Sequence, residues 1–140
     1  MLIAHEGNCQ CGTVSMVFCT TKPLANYSPR ACDCDFCISN NVSYLSEPQG
    51  SLSIKSRQKL TRKQQGSGQA TFLCCGSCDQ LIAVLFNAPL EPLIGAVNSQ
   101  CLVNKNDLSS SKTSSPKLLT PTEKRQRWAK VGCLVQLEAP

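Results

Sequence analysis

The sequence predicts a mainly β fold, small and antiparallel, with one short helix near its C-terminal end. Three observations carry this. Short runs alternate or concentrate apolar residues as strands do. Gly and Pro punctuate those runs at Gly50, Gly66, Gly68, Pro89 and Pro92. No helical period of apolar positions appears before residue 105. At 140 residues, the chain has the length of a single domain.

The elements follow in order. Val14, Met16 and Phe18 alternate with Thr13, Ser15 and Val17, a period of two with one imperfect position. Short strands are expected around Val42–Leu45 and Ser51–Lys55. Thr71–Leu73 runs straight into a group of cysteines. Leu81–Phe86 is a short apolar run that reads as a buried strand, and Gly95–Val97 reads as another. Residues 1–104 thus form one compact unit. Residues 105–121 are rich in Ser, Lys and Asn and read as a flexible loop, because they can bury little. Residues 122–140 supply a helix and a last strand, Val131–Leu137, packed on the same domain. Thr120 can cap that helix, Pro121 suits its first position, and Glu123 can complete a capping box. The helix should run to about Lys130, with Trp128 as its anchor.

Composition narrows the class. Hydrophobic residues make up 41% of the chain and aromatics only 5%, so the core must rest on Val, Leu, Ile, Ala and Cys. So small a core gains from an added staple, and bound metal is one. The start, MLIAHEGNCQCG, has neither the basic nor the apolar region of a secretory signal. No run approaches the ~18 apolar residues of a membrane span. The expectation is a cytoplasmic protein without a membrane partner, in a compartment where disulfides rarely persist. Eleven cysteines, an odd number, also fit a disulfide framework poorly.

Eight cysteines fall in three clusters, seven of them at ligand spacing: Cys9-Gln10-Cys11-Gly12, Cys32-Asp33-Cys34-Asp35-Phe36-Cys37, and Cys75-Gly76-Ser77-Cys78 with Cys74 adjoining. Zinc takes thiolates at ~2.3 Å in a tetrahedron, so two ligands from one short segment must bend back around the ion. A C-x-x-C turn from Cys75 to Cys78 does so, and Gly76 inside it can take the positive φ a tight knuckle requires. The rarer C-x-C pair, Cys9 and Cys11, gains flexibility from Gly12. Two such half-sites far apart in sequence form a closed structural zinc site: Cys9, Cys11, Cys75 and Cys78. Cys74 could replace Cys75 but breaks the two-residue spacing. The middle cluster offers Cys32, Cys34 and Cys37 without an obvious fourth ligand, and three ligands with an open position is the arrangement of a catalytic zinc. Asp33 and Asp35 read as solvated turn residues that could also ligate. His5, the lone histidine, reads as a solvated surface residue. Cys19, Cys101 and Cys133 stand isolated and read as small buried hydrophobes.

The motifs N-C-Q-C-G-T-V-S, C-D-C-D-F-C and F-L-C-C-G-S-C-D-Q-L, in this order, resemble those of the glutathione-dependent formaldehyde-activating enzyme family, which also includes centromere protein V. The resemblance continues through Ser46–Leu52, Gly95–Asn98 and Cys101-Leu102, about residues 7–104 in all. It implies a fold shared with methionine-R-sulfoxide reductases and Rab exchange-factor-like zinc chaperones. It implies a structural zinc on Cys9, Cys11, Cys75 and Cys78, and a more labile zinc on Cys32, Cys34 and Cys37. The reaction implied is that of a carbon–sulfur lyase, in which formaldehyde and glutathione join as S-hydroxymethylglutathione, or the reverse. Three positions depart from the family's habit. Ile38 stands where a basic residue is common, and Asn41 and Asp79 stand where Gly is common. Asn tolerates left-handed backbone better than most residues.

At such a site Cys32, Cys34 and Cys37 would act as ligands and not as nucleophiles, and the partner would be a small thiol or thiol adduct. Lys55, Arg57 and Lys59 alternate, so on one strand they would share a face, with Arg62 and Lys63 extending the run; they read as a solvated edge. Lys124, Arg125, Arg127 and Lys130 read likewise as a wet helix face. The formal charge of +5 falls to about +2 once seven thiolates and two zinc ions are counted, which gives little support to nucleic acid as a partner. A non-catalytic zinc module that binds a protein is the competing reading. There a fourth ligand, Asp33, Asp35 or Cys74, would close the middle site.

Overall fold

In the computed structural model, residues 2–32, 35–64, 70–86, 92–114 and 120–140 are described. They contain eleven strands and two α-helices. The strands are β1 (Ile3–Asn8), β2 (Val14–Thr20), β3 (Arg30–Cys32), β4 (Tyr44–Leu45), β5 (Ser51–Ser56), β6 (Thr61–Gln64), β7 (Thr71–Cys74), β8 (Leu81–Leu85), β9 (Ile94–Asn98), β10 (Lys112–Ser114) and β11 (Cys133–Glu138). The helices are α1 (Asp35–Ser39) and α2 (Pro121–Val131). The punctuation expected at Gly66, Gly68 and Pro89 lies outside the described residues.

One open sheet runs in the order β1-β2-β5-β11-β9-β4-β3-β10, and β6, β7 and β8 branch from β9 through the β8 pairing. Most pairs are antiparallel, but two are not: β11 lies parallel to β5 and β10 parallel to β3. The helix α2 makes the first possible. It carries the chain back across the sheet, so β11 enters between β5 and β9 in the same sense as β5.

Alternation places the core. Val14, Met16 and Phe18 of β2 are buried beside Leu52 and Ile54 of β5. Every residue of β8 is buried, because the strand separates two apolar clusters. Ala83 and Leu85 belong to the larger one, with Phe18, Leu52 and Val97. Val84 belongs to the smaller, with Cys37, Tyr44, Phe72 and Cys74. A strand wet on neither face shows no alternation, which is why Leu81–Leu85 is apolar throughout.

Three strands escape a period-two reading for a physical reason. In β1 the inward positions are His5 and Gly7, a polar and a side-chain-less residue. Gly7 is required there, since a Cβ would meet the carbonyl oxygen of Cys101 at 2.7 Å. The strand β6 is TRKQ and largely exposed, and β10 lies within the segment read as a loop. That segment also carries a 3-10 turn at Lys105–Asp107. Its residues 115–119 lie outside the described residues.

The helix α2 starts as its capping residues dictate. The Thr120 hydroxyl accepts from the Glu123 N–H at 3.1 Å, and the Glu123 carboxylate accepts from the Thr120 N–H at 2.9 Å. Trp128 stacks on Phe86 at the end of β8, ring centroids 4.9 Å apart. Gly132 ends the helix at close quarters, since a Cβ there would lie 2.2 Å from Ile94 Cγ2.

His5 corrects an expectation. It is not solvated but 8% exposed, with Nε2 2.8 Å from the Thr20 hydroxyl. That hydroxyl donates to the Lys22 carbonyl at 2.6 Å, so it accepts from the imidazole, which must carry its proton on Nε2. Burial lowers the His5 pKa below 6.5, because a charged ring would lose its hydration. The stability this contributes is present above pH ~6.5 and is lost as pH falls through the folded pKa. As the chain has one histidine, an NMR titration reads it without ambiguity. We expect the Nε2–H tautomer and a midpoint below 6.5; a midpoint at or above 6.5 would refute the buried neutral ring.

Candidate metal centre

Two hairpin loops meet at one end of the sheet. The β1–β2 loop carries Cys9 and Cys11, and the β7–β8 loop carries Cys75 and Cys78. Each loop closes on itself: the Cys9 N–H donates to the Val14 carbonyl at 3.0 Å, and the Cys75 N–H to the Gln80 carbonyl at 2.9 Å. A cross-link joins them, the Gln10 N–H donating to the Gln80 side chain at 2.7 Å.

Left-handed residues make these turns. Gly12 has φ +79°, as its place after the C-x-C pair requires. In the second loop the positive φ falls on Asp79, at +62°, and not on Gly76. Asp reaches this region more readily than most residues. Gly76 serves a different need: a Cβ there would lie 2.2 Å from the Lys59 carbonyl oxygen. Asn41, with φ +50°, turns the chain after α1.

The four sulfurs of Cys9, Cys11, Cys75 and Cys78 all lie within 4.8 Å of one another. Cys9 to Cys11 is 3.6 Å, Cys9 to Cys75 is 3.7 Å, and Cys11 to Cys75 is 3.6 Å. A tetrahedron with ~2.3 Å metal–sulfur bonds has an edge of about 3.8 Å. The spacing and the donor set therefore fit a metal ion, and four soft thiols are consistent with zinc. The backbone is arranged for anionic sulfur. Val14 N–H points at Cys9 Sγ at 3.3 Å, and Ser77 and Cys78 N–H point at Cys75 Sγ at 3.3 and 3.4 Å.

The protein matrix divides the four thiols. Hydrogen bonds from Thr13, whose hydroxyl is 3.2 Å from Cys11 Sγ, pull the exposed Cys11 down to about 6. Burial works against the Cys78 thiolate, but the N–H groups of Gln80 and Cys11 bring its pKa below the usual thiol value. Burial pushes Cys75 up to about 11, against the pull of the Cys78 and Ser77 N–H groups. Only a cation among the sulfurs lets all four ionise together. Cys101 and Cys133 are pushed up to about 12 and about 11, chiefly by burial. They are inert thiols of the core, as their isolation in the sequence implied.

The middle cluster is placed in part. The strand β3 ends at Cys32 and α1, which carries Cys37, begins at Asp35. Asp33 and Cys34 lie outside the described residues, and Cys32 and Asp35 are described by backbone alone. Cys37 is 2% exposed, with its Sγ 3.3 Å from the Tyr44 hydroxyl. Ile38, where the family favours a basic residue, is 65% exposed. Cys74 does not join the four-sulfur group; it lies in the smaller apolar cluster with Cys37, and burial raises its pKa.

The basic run departs from expectation. The strand β5 ends at Ser56, so Arg57 and Lys59 do not continue the face of Lys55. Lys55 pairs with Glu138 across the parallel ladder at 3.9 Å, both side chains well exposed. Arg57 donates to the Gly12 carbonyl at 3.2 Å, supporting the first cysteine loop. Lys63 pairs with Asp79 at 3.1 Å, beside the second. Sequence reasoning missed Thr13, Gln80, Tyr44 and Arg57 as supports of these thiols. None of them stands in a spacing that sets it apart from an ordinary strand or turn residue.

The fold and site define a class: a mainly β domain whose two hairpin loops bring together four cysteines that could hold a metal ion. No family model matches the chain, and no curated protein matches it. Among solved structures, the chain is similar to a protein of Rhodobacter sphaeroides known from its crystal structure. The TM-score is 0.60 at 25% identity, over 78% of this chain and 99% of that one. Among the described residues no helix is long and apolar enough to cross a membrane.

A structural zinc site contributes on the order of 10 kcal/mol, comparable to the whole stability of a small domain. Cys75→Ser and Cys9→Ser are therefore expected to lose bound zinc and unfold at room temperature. Cys74→Ser should keep that zinc and lose only about 1–3 kcal/mol for a hydroxyl in an apolar pocket. Metal content and thermal denaturation measure both. Zinc loss in Cys74→Ser with a folded, zinc-loaded Cys75→Ser would reverse the assignment.

Proposed function

We propose that this chain is a zinc-dependent carbon–sulfur lyase-like protein of the cytoplasm, acting on the adduct of a small thiol, such as glutathione, with an aldehyde such as formaldehyde. One observation supports it above the others. Four cysteines gather in a cluster with no position to spare, which leaves Cys32, Cys34 and Cys37 as a separate set of three. A closed thiolate site holds the fold, and chemistry then falls to the set with an open position.

In the synthetic direction the thiol sulfur adds to the carbonyl carbon, and the proton it loses ends on the carbonyl oxygen; cleavage is the reverse. Zinc held by Cys32, Cys34 and Cys37 would supply thiol acidification and carbonyl polarisation. The chain's own part begins with Cys37. Its sulfur is shielded from water and lies within hydrogen-bond distance of Tyr44, so a phenol donor fixes its position and offsets its charge. The β3–α1 connection is short, which keeps Cys32 and Cys37 near one another along the chain.

A second reading rests on Cys74. It shares a buried apolar cluster with Cys37, and as a fourth ligand it would close the middle site. The protein would then be a zinc module that binds a protein partner.

Native mass spectrometry of the reduced chain, with and without millimolar glutathione, separates the two. The lyase reading expects two zincs, with glutathione adding to the complex or removing one. Cys34→Ser should stay folded and carry one zinc fewer. Two zincs indifferent to glutathione, one of them lost in Cys74→Ser, would establish the module instead.

A further inference from the structure

Of the four clustered thiols, one stands open to solvent. Cys11 is exposed, whereas Cys9 and Cys75 are buried and Cys78 is half-buried. The exposed sulfur also touches the buried ones: Cys11 Sγ lies 3.6 Å from Cys9 Sγ and 3.6 Å from Cys75 Sγ. A groove of about 500 Å³ opens on the same loop, and its lining includes Gly12, Thr13 and Arg57. Thr13 connects groove and thiol, since its hydroxyl is 3.2 Å from Cys11 Sγ. A small solute thus reaches the loop at its one exposed sulfur, while the sulfurs in contact with it are shielded.

Two sulfurs are in reach of Cys11, and the backbone distinguishes them. Cys9 and Cys11 sit in one closed turn, in which the Gly12 N–H donates to the Cys9 carbonyl at 3.1 Å. A bond between them would close a small ring through Gln10 alone, with little freedom to reach the dihedral of about 90° that a disulfide prefers. Cys75 stands on the other hairpin loop, 64 residues away in sequence, and no such ring constrains it. Its sulfur must approach Cys11 by about 1.6 Å, from 3.6 Å to the length of a disulfide. The loops are already held side by side, the Gln10 N–H donating to the Gln80 side chain at 2.7 Å.

We propose that Cys11 is an oxidation site for a hydroperoxide, and that Cys75 resolves it as a disulfide between the two hairpin loops. The Cys11 sulfur attacks a peroxide oxygen and the O–O bond breaks. The thiol proton goes to the departing oxygen, which leaves as an alcohol, or as water from hydrogen peroxide, and Cys11 becomes a sulfenic acid. The Cys75 sulfur then displaces the hydroxyl, which leaves as water with the Cys75 proton. Two thiols are oxidised to one disulfide, and one hydroperoxide is reduced. Only Cys9 and Cys78 then remain to hold a metal ion, so oxidation releases the ion while a covalent bond takes over the joining of the loops. The reaction uses none of Cys32, Cys34 and Cys37 and is independent of the lyase reading.

Treating the reduced, zinc-loaded chain with one equivalent of hydrogen peroxide tests this, with the thiols then alkylated and mapped by tandem mass spectrometry. A chromogenic chelator follows the zinc. The expected product is lighter by two hydrogens and carries a Cys11–Cys75 cross-link, and zinc release tracks its formation. Dithiothreitol with added zinc should restore the starting form. Cys11 should react roughly tenfold faster, or more, than the buried Cys101 and Cys133. Cys19→Ser removes a half-buried thiol outside the cluster and should cross-link at the wild-type rate. In Cys11→Ser the other thiols of the cluster should oxidise roughly tenfold more slowly, or less, for want of an exposed sulfur. Should Cys11→Ser fail to fold, the wild-type map decides. Cys11 left reduced, a disulfide from Cys11 to Cys9, or a cross-link formed with all zinc retained overturns the proposal. So does a disulfide confined to Cys32, Cys34 and Cys37, or wild-type oxidation of the cluster in Cys11→Ser.

Discussion

Four sulfurs must meet for this fold to close. Cys9 and Cys75 are 66 residues apart, and holding such a loop shut costs roughly 4 kcal/mol of chain entropy. Two hairpin loops bear that constraint, and each is built to present sulfur. Backbone N–H groups face Cys9 and Cys75, left-handed backbone at Gly12 and Asp79 turns the chain back, and Gln80 bridges the loops through Gln10. A sheet with many short strands and few aromatics has little other means of pinning its two ends. The larger apolar cluster runs up to the thiols, with Cys9 and Cys75 among its buried members, so a metal ion held there would reinforce core packing.

Were these four thiols to close on a metal ion, they would leave no position for a further ligand; Cys9 and Cys75 are buried, Cys78 is half-buried and Cys11 is exposed. The strand β3 lies elsewhere in the sheet, between β4 and β10. There the buried Cys37 thiol lies beside the Tyr44 phenol, and Arg30 donates to the Ser46 hydroxyl. The two regions meet through β8, which carries the larger apolar cluster on one side and the smaller on the other.

Much of this was legible in the residues. Val14, Met16 and Phe18 announced their strand because one face is buried and the other wet. Thr120, Pro121 and Glu123 announced the start of α2 because capping is local chemistry. The C-x-C and C-x-x-C spacings announced the four-sulfur cluster because a tetrahedral ion demands that a chain double back. Other elements gave no such sign. The inward face of β1 is occupied by His5 and Gly7, which is why no apolar period marks it. The helix α1 has five residues, too few for a period. The charges of Lys55, Arg57 and Lys59 alternate in sequence, yet the strand ends beneath them.

By itself the sequence determined a mainly β chain with a capped terminal helix, and it set apart two cysteine half-sites from isolated core thiols, because strand alternation, capping and ligand spacing act over a few residues. Only the tertiary structure decided the parallel entry of β11 beside β5, the placement of Cys74 in the smaller apolar cluster with Cys37, and the burial of His5 against Thr20. Each depends on which distant segments share a space, and nothing in the residues of β11 marks the strand beside which it will enter.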